Sequence, residues 1–208
     1  MTVAIVVGAS SGLGLEVVRL LEAGGRTVVG VSRYGETTVR GDASKRDTAL
    51  RALQEANKLA DARGPLDLLV NCAGLGIYGP AGSYDDAAIT SLIDANLIAT
   101  IVFCEVVAPR FKTAGGTIVN VLSTAALTGK PNETVYCAAK WGARGYSEAL
   151  RAEAKGTKLR VMSVAPGGMN TPFWPEARTS FMDPREVAAV IVDAIDRPVF
   201  VSEISITR

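Results

Sequence analysis

The chain of 208 residues contains no histidine. Without an imidazole, catalysis by Ser/His/Asp or Cys/His groups is excluded, and the most common transition-metal ligand is missing. We therefore expect no metal site. Any proton transfer in this protein must use tyrosine, lysine, cysteine or a carboxylate.

Cysteine is also scarce. The three cysteines, Cys72, Cys104 and Cys137, lie far apart in the sequence and form no CxxC pair. This spacing argues against both a zinc knot and a disulfide framework. A reducing cytoplasm is therefore the expected location.

Long apolar runs and an excess of one charge are missing as well. No run approaches the about 18 residues that a membrane span needs. The first residues carry no positive cluster and lead into a strand pattern, so we do not expect a signal peptide. Lys and Arg number 22 against 21 Asp and Glu, without a basic stripe. We therefore expect neither a membrane nor a nucleic-acid partner.

Strand and helix patterns alternate along the chain. Strands are predicted at 3–7, 27–32, 37–40, 66–70, 117–122, 159–164 and 199–202, and helices at 13–23, 45–63, 85–112, 133–155 and 184–196. The link between the second and third strands is too short for a crossover helix, which needs about a dozen residues. The alternation predicts a single α/β domain over residues 1–208, a Rossmann fold with a doubly wound parallel sheet of about seven strands and helices on both faces.

A glycine-rich turn, Gly8-x-x-x-Gly12-x-Gly14, follows the first predicted strand. Gly8 allows a sharp exit from the strand, Gly12 a close approach to a pyrophosphate, and Gly14 close packing of helix on strand. Free N–H groups at the helix start attract phosphates, and Ser10 and Ser11 could add hydroxyl contacts. No Gly-Lys-Ser/Thr follows, so a dinucleotide is favoured over a triphosphate. A plain βα turn is the alternative.

The end of the second predicted strand indicates which nicotinamide cofactor is used. An acid is expected near this point if the ribose 2′-hydroxyl is to be held. The chain has Ser32-Arg33 instead, and Glu36 lies beyond the strand. Because a guanidinium pairs well with a 2′-phosphate, we expect NADP(H), with NAD(H) as the other possibility. A solvated loop arginine is the alternative interpretation of Arg33.

The candidate proton-transfer groups are Ser123, Tyr136 and Lys140. Residues at i and i+4 share a helix face, so Lys140 can place its ammonium near the Tyr136 hydroxyl. A nearby positive charge lowers a tyrosine pKa, and Tyr136 could then exchange a proton with an alkoxide. Ser123 follows the fifth predicted strand, at the sheet edge where ligands bind, and could polarise the same oxygen. A surface Tyr/Lys pair is the alternative.

These residues resemble the short-chain dehydrogenase/reductase family over nearly the whole chain. The matching motifs, in order, are Gly8-x-x-x-Gly12-x-Gly14, Asn71-Cys72-Ala73-Gly74, Asn96, Ser123, Tyr136-x-x-x-Lys140, and Pro166-Gly167 with Thr171 beyond. One such motif would be weak, but several in register are specific. One departure is Cys72, where the family usually has a second asparagine.

The resemblance implies a role for each matched residue. Tyr136 would be the acid/base, Lys140 would lower its pKa and hold the nicotinamide ribose, Ser123 would orient the substrate oxygen, and Asn96 would place a relay water. The expected cofactor-binding residues are Gly8, Ser10, Ser11, Gly12, Leu13, Gly14, Ser32, Arg33, Asp42, Ala43, Asn71, Ala73, Gly74, Tyr136, Lys140, Pro166, Gly167, Met169 and Thr171. Asp42 would meet the adenine amino group. By analogy the protein would form a homodimer or homotetramer.

The segment at about 168–182 is short for the substrate loop of the family. It carries Phe173, Trp174, Phe181 and Met182, which could contact an apolar substrate or simply pack against the domain. Beside the Tyr/Lys pair, Cys137 is expected to be a core residue, and Trp141 is expected to be structural or to lie in an interface.

The function predicted is interconversion of a ketone or aldehyde and its alcohol by an NADP(H)-dependent oxidoreductase. An NADP(H)-binding sensor with little turnover is the main alternative, and the intact Ser123/Tyr136/Lys140 set argues against it. A sugar-nucleotide epimerase or dehydratase is disfavoured because no second substrate domain is evident. A dehalogenase is disfavoured by the intact glycine turn and Lys140. The substrate, the direction and the stereochemistry are not encoded in any pattern.

Overall fold

A computed structural model describes residues 1–174 and 176–208. Seven strands are present in the described residues: β1 Val3–Val7, β2 Thr27–Ser32, β3 Val39–Arg40, β4 Leu66–Asn71, β5 Gly116–Val121, β6 Leu159–Pro166 and β7 Glu203–Ile206. The helices are α1 Gly12–Ala23, α2 Arg46–Arg63, α3 Asp86–Ile93, α4 Ala99–Ala114, α5 Thr134–Glu153 and α6 Pro184–Asp196. Two short segments complete the list, a π-helical one at Asp94–Ile98 and a 3₁₀ turn at Thr124–Ala126.

All the strand pairs are parallel, in the order β3-β2-β1-β4-β5-β6-β7. The chain winds outward in one direction from β1 to β3 and in the other from β4 to β7. The order therefore reverses between β1 and β4, and a ligand crevice forms beyond their carboxyl ends. The predicted Rossmann-type α/β fold is confirmed.

Two apolar layers cover the sheet. On one face, α1 and α6 pack against each other and against β-strand side chains such as Val6 and Met162. On the other face, α2, α4 and α5 enclose a core around Ile5, Phe103 and Phe111. Because both faces are covered, β1 is fully buried, as its continuous apolar pattern predicts.

The long helical stretch from α3 to α4 is interrupted by the π-helical segment. Over Asp86–Ala114 its length and composition alone reach what a membrane span requires, with a mean hydropathy of 1.8, which the sequence analysis did not anticipate. Core helices of soluble proteins pass the same test, and Phe103, Cys104 and Phe111 on this helix are buried against the sheet.

Three predicted elements differ from the described structure. The strand expected at 37–40 is only Val39–Arg40, the single helix expected at 85–112 is divided by the π-helical segment, and the last strand was placed wrongly. The expected strand at 199–202 is a connection, and Val199 is 74% exposed. The strand β7 begins at Glu203, which pairs with Ser163 of β6. β7 is an edge strand in which alternate residues are exposed, so it lacks the continuous apolar run that marks the inner strands.

Candidate active site

A cleft of about 610 Å³ opens at the carboxyl ends of the central strands. The predicted site residues that line it are Gly8, Ser10, Ser11, Gly12, Leu13, Gly14, Ser32, Arg33, Asp42, Ala43, Ala73, Gly74, Ser123, Tyr136, Lys140, Pro166, Gly167, Met169 and Thr171. The chain therefore brings its amino-terminal glycine turn and its Tyr/Lys helix to one site. This is the convergence expected at the switch point of a parallel sheet.

The glycine turn has no room for side chains. Gly8 has φ +83°, and a Cβ there would lie 2.8 Å from the backbone nitrogen of Ala73. A Cβ on Gly14 would overlap the carbonyl oxygen of Gly8. Gly12 has φ +53°, and a Cβ there would lie 3.2 Å from Cβ of Thr171, so the turn also meets the 168–182 loop. These glycines let the start of α1 pack tightly on β1 and β4.

The amino terminus of α1 faces the cleft without a side-chain cap. Ser11 occupies the N-cap position in an extended conformation, and its side chain makes no capping hydrogen bond. The first N–H groups of a helix have no partner within the helix, and the helix dipole is positive there. With Ser10 and Ser11 lining the same cleft, this end of α1 fits a pyrophosphate.

The end of β2 carries polar groups beside the glycine turn. The Ser32 hydroxyl donates to the Ser10 hydroxyl at 2.8 Å, and Arg33 is exposed with its guanidinium 5.5 Å from the centre of the Tyr34 ring. Burial raises the pKa of Asp42, but hydrogen bonds from Ser44 and the charges of Lys45 and Arg33 outweigh it, so the net pKa is lowered. Asp42 is thus a carboxylate near Arg33.

Ser123, Tyr136 and Lys140 line one end of the cleft. Ser123 follows β5, and its hydroxyl accepts a hydrogen bond of 3.1 Å from the backbone nitrogen of Ala125. Tyr136 and Lys140 lie one turn apart on α5 and are only 7% and 4% exposed. Lys140 donates to the carbonyl oxygen of Val121 at 3.2 Å, and its ammonium nitrogen lies 5.9 Å from the centre of the Tyr136 ring. The Tyr/Lys pair is therefore buried in the cleft rather than on an exposed helix surface.

The pKa of Tyr136 is raised, whereas the sequence analysis expected Lys140 to lower it. Burial raises the pKa of Tyr136 to about 12, the neighbouring Ser123 hydroxyl lowers it, and the charge of Glu133 raises it further. Burial also lowers the pKa of Lys140 to about 8, partly offset by Cys72. The net effect on Tyr136 is upward because removing a phenolate from water outweighs the favourable contact.

Asn71 and Asn96 are not among the residues that line the cleft. Asn71 is buried at the end of β4, where its amide donates to Asn120 of β5 at 2.8 Å, so it joins two strands of the sheet. Asn96 is fully buried in the π-helical segment, and its amide donates to the carbonyl oxygens of Leu75 at 2.8 Å and Leu92 at 3.0 Å. Its side chain holds the loop after β4 in place.

The cleft also contains residues that the sequence analysis did not identify. Tyr78 follows β4, and Lys130 and Glu133 precede Tyr136. The ring of Tyr78 lies 5.8 Å from that of Tyr136 in an edge-to-face arrangement. Its position beyond the carboxyl end of a central strand is the signal that could have identified Tyr78. Cys72 lines the cleft as well, and burial raises the pKa of its thiol to about 12. Cys137 is buried beside Leu92, as expected of a core residue.

Comparison with known proteins matches residues 2–180 to the family model described as short chain dehydrogenase. The chain is 31% identical to the ketoacyl reductase HetN of Nostoc sp., covering 92% of this chain and 74% of HetN. It is 30% identical to a 3-ketodihydrosphingosine reductase of Bacteroides thetaiotaomicron, covering 81% of this chain but only 64% of that relative.

Solved structures are similar over the whole chain. A short chain dehydrogenase from Burkholderia cenocepacia, solved in complex with NADP, is 27% identical with a TM-score of 0.88, covering 100% of this chain and 88% of that one. An alcohol dehydrogenase from the archaeon Thermococcus sibiricus, complexed with 5-hydroxy-NADP, also gives 0.88 at 22% identity, covering 99% of this chain and 96% of that one. At that identity the likeness concerns the fold.

Proposed function

The chain belongs to the short-chain dehydrogenase/reductase family of oxidoreductases, and on that premise we propose that it interconverts a ketone or aldehyde and its alcohol with NADP(H). One observation carries the proposal. The buried Tyr136 and Lys140, together with Ser123, line the same cleft as the glycine turn. This set argues against a binding module that has lost its chemistry.

The proposed cofactor site rests on the fit of the glycine turn and of β2. The uncapped end of α1, with Ser10 and Ser11, would hold the pyrophosphate, and Arg33 would pair with a 2′-phosphate. The NADP complex of the Burkholderia relative supports NADP(H) over NAD(H). When bound, the nicotinamide supplies or accepts the hydride at the carbonyl carbon. Pro166, Gly167, Met169 and Thr171 would face it, and Asp42 would meet the adenine.

Tyr136 is the proposed proton donor to the carbonyl oxygen. With its pKa raised to about 12, the phenol holds its proton at neutral pH, which suits reduction of a carbonyl. The Ser123 hydroxyl would orient the same oxygen. Lys140, with a pKa of about 8, keeps an ammonium at neutral pH that would bind the nicotinamide ribose. Asn96 does not line the cleft, so the relay role proposed for it would act through the loop after β4, which its amide holds in place.

The same proposal covers the class of substrate, the location of the protein and its oligomeric state. The substrate is a small molecule, and the protein acts in the cytoplasm as a homodimer or homotetramer. The outer surfaces of α3 and α5, where Ile89 and Trp141 are exposed, are the proposed contact between subunits.

Replacing Tyr136 by phenylalanine tests the function. On a carbonyl substrate found in a panel screen, we expect kcat to fall by about 10²–10⁴ in Tyr136→Phe, because the ring remains and only the proton donor is lost. Tyr146→Phe is the matched control, since the Tyr146 hydroxyl bonds Glu105 rather than lining the cleft. Full turnover by Tyr136→Phe would refute the proposed role, and a panel without turnover despite tight NADPH binding would favour a sensor.

A further inference from the structure

Four aromatic side chains line the end of the cleft that holds Tyr136. They are Tyr78, Phe173, Trp174 and Phe181, and we call them the aromatic wall. Tyr78 comes from the loop after β4, and the other three come from the loop at 168–182. All four line the same cleft as Ser123 and Tyr136, so a substrate positioned for proton transfer would lie against them.

The rings of the wall form a continuous set around the Tyr136 ring. Tyr78 and Phe173 approach Tyr136 with ring centres at 5.8 and 6.0 Å, both edge to face. Trp174 stacks on Tyr78 at 5.1 Å with an angle of 19° between the planes. These separations fall in the range of about 4.5–7 Å that favours aromatic pairs. Two rings of the wall therefore contact the Tyr136 ring directly, in a cluster that also contains Leu92 and Ile77.

Two glycines in the backbone beneath the aromatic wall leave room for its rings. A Cβ on Gly76 would lie 2.7 Å from Cε1 of Phe173 and 2.7 Å from the hydroxyl oxygen of Tyr78. A Cβ on Gly168 would lie 2.7 Å from the Phe181 ring. In both places a side chain would displace a ring from the wall, and glycine leaves the space that the rings occupy.

At the end of the cleft that holds Tyr136, the charges of Lys130 and Glu133 offset one another, and the Lys140 ammonium is buried and donates to the carbonyl oxygen of Val121. Lys130 and Glu133 both line the cleft, one cationic and one acidic. The Lys130 ammonium donates to the Thr124 hydroxyl at 2.8 Å. A substrate carrying a phosphate or carboxylate would gain no net attraction from this pair. The surroundings of Tyr136 thus favour a neutral substrate with a flat apolar group.

We propose that the substrate is a neutral ketone or aldehyde carrying an aryl ring, which packs against the aromatic wall while the carbonyl oxygen meets Ser123 and Tyr136. The inference rests on the proposed carbonyl chemistry and deepens it. Trp174 and Tyr78 are then residues that determine specificity, because they provide the faces and edges that recognise a ring. An aliphatic group of equal size fills the same volume without these ring-to-ring contacts.

A matched pair of ketones tests the inference. 4-Phenyl-2-butanone and 4-cyclohexyl-2-butanone share the carbon skeleton, and in neither is the ring conjugated with the carbonyl group. With NADPH, we expect kcat/KM to favour the phenyl compound by about fivefold or more, chiefly through a lower KM. In Trp174→Leu and Tyr78→Leu the preference should fall to within about twofold, while Phe200→Leu, which removes a half-buried ring outside the cleft, should keep it.

The possible outcomes separate this inference from the function on which it rests. Equal turnover of the two ketones by the wild-type protein, or a preference that survives in both leucine variants, overturns the aryl inference but leaves the carbonyl chemistry standing. No turnover of either ketone, with Tyr136-dependent turnover of another carbonyl, also overturns it alone. No Tyr136-dependent turnover of any carbonyl overturns both.

Discussion

Around Gly8, Gly12 and Gly14 the cleft is lined by backbone, whereas around Tyr136 it is lined by large rings. In the glycine half, a Cβ on Gly8 or Gly14 would collide with the backbone of Ala73 or Gly8, and a Cβ on Gly12 would crowd Thr171, so these positions favour glycine. In the Tyr136 half, Tyr78 and Phe173 fill the space. The difference teaches that the half proposed to bind the cofactor needs a fixed backbone shape, while the half proposed to bind the substrate depends on side chains from two loops.

Among the changes that compare the two halves, the largest effect on turnover should come from Lys140, which lies between them. We expect Lys140→Met to lower kcat/KM by about 10²–10³ through loss of ribose binding and of the positive charge beside Tyr136. The same change should stabilise the fold, since holding a buried ammonium of pKa about 8 in its charged form costs about 3 kcal/mol at pH 7. After loss of a hydrogen bond worth about 1–2 kcal/mol, a net gain of about 1–2 kcal/mol remains.

The size of that gain in the free energy of unfolding depends on pH. The folded-state pKa of Lys140 lies below its ordinary value of 10.5, so the penalty is fully present below pH 8 and disappears as the pH rises toward 10.5. Urea unfolding at pH 7 and pH 10 should therefore show a smaller gain at the higher pH. Lys155→Met, at an exposed position, is the control and should change little. Destabilisation by Lys140→Met at pH 7 would contradict this account.

Gly14→Ala should disable the glycine half. Because the new Cβ would overlap the Gly8 carbonyl oxygen, α1 must shift from the sheet. We expect a loss of about 1–3 kcal/mol in the free energy of unfolding and weaker binding of NADPH. Gly145→Ala, on an exposed turn of α5 with open space around its Cβ, should instead stabilise by about 0.5–1 kcal/mol. If Gly14→Ala and Gly145→Ala had the same free energy of unfolding and the same affinity for NADPH, the glycine turn would tolerate a side chain.

A smaller effect should appear in the titration of Tyr136 in the cofactor-free protein. Because burial raises its pKa to about 12, the phenolate absorbance lost in Tyr136→Phe should develop only above pH 10. Lys140→Met should leave that absorbance unchanged below pH 10. A Tyr136 step near pH 7–8 that disappears in Lys140→Met would restore the expectation that the lysine lowers the tyrosine pKa.

The sequence predicted the fold well because inner parallel strands and amphipathic helices carry strong local patterns. β1, β2 and α6 have the predicted bounds, and Pro184 begins α6 after Asp183, whose side chain caps it. β7 was misplaced because an edge strand alternates and the apolar run before it is a connection. Its position is set by pairing with β6, which no local pattern encodes.

The residues of the candidate site also divide into those that the sequence predicts and those that it does not. Gly8, Gly12 and Gly14 could be located from spacing alone, because a close backbone approach demands glycine wherever it occurs. The position of Tyr78 beyond the end of β4 indicates only that it is near the cleft, and its contact with Tyr136 depends on how two segments fold together. The sequence could not predict the raised pKa of Tyr136 either. Helical spacing predicts that Lys140 approaches Tyr136, but it does not predict how deeply the tyrosine is buried.

Calorimetric titration of the purified protein with NADPH and with NADH tests the central claim most directly. We expect NADPH to bind at least about tenfold more tightly than NADH, and this difference to disappear in Arg33→Ala because the guanidinium no longer pairs with the 2′-phosphate. Arg63→Ala, at an exposed position outside the cleft, should leave it intact. Binding of neither nucleotide would mean that the glycine turn only connects β1 to α1, and would contradict the account.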